Sequence, residues 1–149
     1  EAAKAKCATD AQYCMNPAEE EIFTQFIEPL SHQRKEFVIV TYAIVSSMSY
    51  VDVVTHEIMH AQYFLDANFR EISDQFWEKE VSDEDKQKIK NTLKAYYNVE
   101  DPLLLRNEFQ AYILMANAER NQLASFVKKF RPGLMEALEK AGVHPIQVQ

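Results

Sequence analysis

Glycine is almost missing from this sequence, with two in 149 residues. Tight two-residue hairpin turns depend on residues that accept positive φ, so a rich antiparallel sheet is excluded and helices are expected to dominate. Cysteine is equally scarce. Cys7 and Cys14 are too few for a disulfide framework that would replace a core. On one continuous helix their spacing puts the α-carbons about 10 Å apart, beyond disulfide reach. In a loop they can bridge, which would fit an oxidising compartment. Positive charge is also in deficit, with 16 Lys and Arg against 23 Asp and Glu and a formal net charge of -7. That balance argues against nucleic acid or an anionic membrane as the main partner. The longest apolar run, Phe37 to Val45, falls well short of the roughly 18 residues that a membrane-spanning helix needs. The chain begins at Glu1, without a basic start followed by an apolar stretch, and reads as a mature or trimmed form. Localisation carries only a lean toward a secreted or periplasmic setting.

What is present is apolar substance, 47% of the residues, enough for one compact domain spanning 1–149. Helix starts are marked by capping residues. Asn16 with Pro17 opens a helix toward Leu30, Ser82 with Asp83, Glu84 and Asp85 opens one toward Tyr97, and Asp101 with Pro102 opens one through Leu114. Acidic first turns suit the helix dipole. Further helices are expected from Tyr50 or Asp52 to about Asp66, from Asn68 to Glu80, and past Asn117 to Ala141, with Gly142 as the stop. The exception is Glu36 to Val45, rich in β-branched and aromatic residues and apolar on both faces, which reads as a strand. The fold class expected is mainly α (α+β), with a small β element around residues 36–45.

Chemistry is concentrated in Thr55-His56-Glu57-Ile58-Met59-His60, inside the helix expected from residue 50. Residues four apart on a helix are about 40° apart around the axis and about 6 Å apart along it, so both imidazoles can converge on one ion. Glu57 lies about 100° around from His56, close enough to meet a water on that ion without ligating it. Met48, Met59 and Met115 read as core filler, and the mixed charges from Ser82 to Lys94 read as a solvated helix.

His56-Glu57-Ile58-Met59-His60 resembles the HExxH of zinc peptidases, and Glu108-Phe109-Gln110-Ala111 resembles the Glu-x-x-Ala segment that gives gluzincins their glutamate ligand. The Glu-Phe-x-Ala form is especially similar to the lethal-factor-like branch, and the small size to the minigluzincins. The longer metzincin motif does not continue, because Tyr63 and Asp66 stand where it needs glycine and histidine. The resemblance implies a zincin-like helical domain and Zn2+ held by His56, His60 and Glu108. It implies a peptide or protein substrate cleaved by metal-activated water, with Glu57 as the general base. Glu108 has independent support, since a carboxylate on a largely apolar helix is costly unless paired or metal-bound.

An oxyanion donor is also required. The lethal-factor-like branch has a tyrosine two turns before its glutamate ligand, a place held here by Asp101. Tyr97 is the candidate taken, with Tyr96, Tyr112, Tyr42 and His144 as alternatives. Asp52, Thr55 and Asn117 are candidates for supporting the ligands. In gluzincins a strand edge binds the substrate backbone, a role open to residues 37–45. The tail from Val143 to Gln149 is a candidate latch over the cleft. Two other readings stand beside the peptidase: a non-catalytic binding or toxin-assembly domain on the same scaffold, and a helical di-iron carboxylate protein. The second needs another Glu-x-x-His, and the chain has only Glu57-x-x-His60.

Overall fold

The computed structural model describes residues 15–33, 36–40 and 50–146, and these are mainly helical. Contacts group the chain into two units, residues 1–37 and 38–149.

In the first unit, α1 (Pro17–Ile22) continues through a π-helical turn, Phe23–Ile27, into α2 (Glu28–Gln33). Its start follows from the sequence. The Asn16 side chain accepts the N–H groups of Ala18 and Glu19, and the Glu19 carboxylate accepts the N–H of Asn16, a complete capping box with Pro17 in the first turn. The widened turn comes just before Pro29, which has no N–H to continue the ordinary ladder. No residue of this helical stretch is buried.

The second unit begins with α3 (Tyr50–Leu65) and α4 (Ala67–Glu80), joined at Asp66, whose carboxylate caps α4 by accepting from Asn68 and Phe69. Ser82 caps α5 (Asp83–Leu93), and Asp101 caps α6 (Pro102–Leu114). A 3-10 turn at Ala118–Arg120 leads to α7 (Ala124–Lys140). That last helix ends at Gly142 with φ 70°, where the N–H of Gly142 donates to Glu139 O and that of Val143 to Leu138 O.

Helix α6 organises the packing. It lies against α3, α4 and α7, and every residue from Asn107 to Leu114 is buried. A helix covered on all sides has no face on which to leave a polar group in water. On one side, Phe109 meets Trp77 of α4 and Phe130 of α7, with ring centroids 4.9 and 5.8 Å apart, and Phe76 meets Phe130 edge to face. Ile89, Leu93, Leu134 and Leu138 complete this core. Gly133 allows the close approach of α7 to α4, since a β-carbon there would stand 3.1 Å from the Phe76 ring.

The helix expectations hold except at one end, where α5 stops at Leu93 and residues 94–97 form a turn. The β element expected around residues 36–45 is not shown. Residues 36–40 have no regular secondary structure, and 41–45 lie outside the described residues, as do Cys7 and Cys14. The β-branched and aromatic composition that suggested a strand here has no described neighbour strand to pair with.

Candidate metal centre

His56 and His60 stand one turn apart on α3 and face Glu108 of α6. Their Nε2 atoms are 3.1 Å apart, and Glu108 Oε2 and Oε1 lie 3.4 Å from His56 Nε2 and 3.6 Å from His60 Nε2. An ion bound at about 2.0–2.2 Å to three tetrahedrally placed donors would space them roughly 3.3–3.5 Å apart. The observed separations lie near that spacing, the two to Glu108 running to its two different oxygens. The two carboxylate contacts are long for neutral hydrogen bonds, and Glu108 Oε2 is buried without a hydrogen-bond partner. His56 is 9% exposed and Glu108 5%. A carboxylate in that setting calls for a cation, so this buried group can hold a metal ion. The Nδ1 atoms of both histidines have no partner among the described residues.

The helices that present the ligands are locked by contacts far apart in sequence. The Gln110 amide, fully buried, donates to Met59 O at 3.2 Å and to Asn107 Oδ1 at 3.0 Å. Thr55 Oγ1 donates to Val51 O and accepts from Ala116 N–H at 3.1 Å, and the Asn117 amide donates to Asp52. The supporting residues named from sequence, Asp52, Thr55 and Asn117, therefore join α3 to the segment after α6. None of them bonds a ligand histidine. Below His60, the buried Tyr63 hydroxyl donates to Asp74 at 2.6 Å, and Arg106, two residues before Glu108, reaches the same carboxylate at 3.2 Å. Burial and the Asp74 carboxylate push the Tyr63 pKa up to about 12.

A cleft of about 650 Å³ opens beside the cluster, with His56, Glu57, Tyr97 and Tyr112 on its wall. Glu57 is half-buried and faces the cleft without joining the three-residue cluster. The Tyr97 and Tyr112 hydroxyls are 3.0 Å apart, and the Tyr112 ring lies 4.6 Å from that of His56. Burial raises the pKa of both tyrosines, more strongly for Tyr97, and the Glu108 carboxylate adds to each. Both hydroxyls therefore keep their protons at neutral pH.

Tyr96 and His144 are not on this wall. Tyr96 is 66% exposed, and His144 is exposed with its carbonyl accepting from the Gln62 amide. Tyr42 and Met48 lie outside the described residues. Met59 and Met115 are buried in the core. Residues 143–146 do not line the cleft, so this part of the tail does not act as the expected latch. Instead Gln62 holds it, donating to His144 O at 2.8 Å and accepting from Ile146 N–H at 3.0 Å. Sequence reasoning did not find Gln62, Gln110, Asp74 or Arg106. It named Tyr112 without selecting it, although its position four residues after Glu108 places it on the same helix face.

No family profile, curated protein or solved structure matches the chain.

Proposed function

We propose that the chain is a zinc-dependent endopeptidase in which His56, His60 and Glu108 hold the metal and Glu57 is the general base. The observation that carries this reading is the convergence of two histidines and a distant glutamate at metal-binding spacing, with a second glutamate, Glu57, on the adjoining cleft. When bound, zinc supplies Lewis acidity that makes water a better nucleophile and a peptide carbonyl a better electrophile. Glu57 accepts the proton that the attacking water loses and returns it to the departing amine. The Tyr97 hydroxyl, oriented by Tyr112, donates to the oxygen that gains negative charge as the carbonyl becomes tetrahedral. Only one proton occupies the tyrosine-tyrosine bond, so the second remains available to the cleft. The same reading places the helical unit in a zincin-like class.

Three cluster residues, and among the described residues no second carboxylate with them, favour this arrangement over a di-iron site. The test combines metal content with cleavage of an unstructured protein such as casein. Wild type should bind about one zinc per chain, by analogy with open three-ligand sites, and His60→Ala and Glu108→Ala should not. Glu57→Gln should keep the metal and lose about 10²- to 10⁴-fold in rate, the usual worth of a general base. Metal-loaded wild type and Glu57→Gln with equal activity would overturn the mechanism.

A further inference from the structure

His56 and Glu57 line the cleft together with a group of a different kind. Arg120 is the sole Lys or Arg among the described lining residues. It sits at the end of the 3-10 turn Ala118–Arg120, and that turn is fastened on both sides. On one side Asn117, in the left-handed conformation with φ 46°, donates its amide to Asp52 of α3. On the other, the Asn121 amide donates to Tyr112 O of α6 at 2.7 Å, and its oxygen accepts from Leu123 N–H. The turn is therefore tied to both helices that build the site.

The acidic sequence neighbour of Arg120 and one of the acids lining the cleft are already engaged. Glu119, its sequence neighbour, pairs with Arg131 at 3.9 Å, and Asp52 is bonded by Asn117. No carboxylate among the described residues lies within ion-pair distance of Arg120. Arg120 is exposed on the wall of the cleft, and in a chain of net charge -7 no carboxylate among the described residues neutralises it there. Its planar set of donors matches a carboxylate better than any other group a peptide carries.

We infer that Arg120 is a specificity residue that selects peptides bearing a carboxylate, from an acidic side chain or from the free C-terminus. This rests on the peptidase reading of the cleft and names the substrate class it takes. Asp52 and Glu57 also line the cleft and would repel a carboxylate placed against them, so the preference belongs to a peptide carboxylate that reaches Arg120.

The test measures binding, so that it does not depend on turnover. Four fluorescein-labelled alanine-rich peptides carry either Glu or Gln at one internal position and either a free or an amidated C-terminus. Their affinities for the Glu57→Gln protein are measured by anisotropy, with and without added zinc, in the presence and absence of Arg120→Gln. Replacement of the recognised carboxylate should weaken binding about tenfold, the scale of one charge-assisted bond, and Arg120→Gln should erase that difference. The pair that responds, Glu against Gln or acid against amide, identifies the source. Loss of discrimination on removing zinc, with Arg120→Gln inert, would mean that the metal and not Arg120 reads the carboxylate, and would overturn the inference. Equal affinity for all four peptides, or no binding of any, would overturn it as well. Carboxylate-selective binding by Arg120 together with no cleavage by metal-loaded wild type would instead sink the peptidase reading and leave the recognition site standing.

Discussion

Two buried regions share helix α6, and they are built on opposite terms. Phe109 faces an aromatic cluster in which Trp77, Phe76 and Phe130 satisfy one another by packing alone. Its neighbour Glu108 faces the Nε2 atoms of two histidines, and one of its carboxylate oxygens is buried without a hydrogen-bond partner. The first region is complete as it stands. The second can hold a cation, and its geometry is maintained by bonds that belong to its surroundings, such as Gln110 to Met59 and Thr55 to Ala116. An apolar core and a candidate metal centre are thus separated by one residue step along a helix.

Substitutions at that step should separate most clearly. Phe109→Ala removes a ring shared by three elements and should cost about 3–5 kcal/mol in denaturant unfolding. Glu108→Gln, measured without metal, should be as stable as wild type or more so, because it removes an uncompensated buried carboxylate. A large loss of metal-free stability in Glu108→Gln would mean that the carboxylate is paired within the protein and that the contrast is false.

Metal should sharpen the same contrast. Zinc at roughly 100 to 1,000 times its dissociation constant should stabilise wild type by about 2.7–4.1 kcal/mol. That gain, seen as a raised thermal midpoint and reversed by a chelator, should vanish in Glu108→Gln and survive in a mild core variant such as Ile113→Val.

The smallest effect should come from the link between the regions. Tyr63→Phe deletes the hydroxyl bonded to Asp74 and should cost about 1 kcal/mol at neutral pH. Its pH dependence has a definite sign. The folded state favours the protonated phenol, so the contribution is full below the ordinary tyrosine pKa near 10 and is lost as pH rises toward about 12. Wild type should lose stability across that window more steeply than Tyr63→Phe, and parallel profiles would remove the hydroxyl from the account.

Much of this arrangement was legible because its signals are local. Asn16, Ser82 and Asp101 mark helix starts through bonds that span two or three residues, and all three caps form. His56 and His60 needed only helical spacing to be brought together. Glu108 needed a remote match, and resemblance plus burial pointed to it. The ties that hold the ligands were not legible, because Gln62 with His144, Thr55 with Ala116 and Tyr63 with Asp74 and Arg106 are ordinary polar residues paired by tertiary packing. Residues 36–40, the described part of the expected β element, show the opposite case. Their β-branched composition carries a propensity, and a strand also needs a partner that composition does not name.

The ligand order along the chain has one further consequence. His60 and Glu108 bracket α4, α5 and the turn at residues 94–97, so an ion held between them closes the intervening chain into a ring. Such a ring does what a long-range disulfide does in other proteins, and here both cysteines fall outside it. A protease nick in the exposed turn around Lys94 and Ala95 would then leave two fragments joined by the metal as well as by the shared core, and harder to separate by denaturant with the ion than without it.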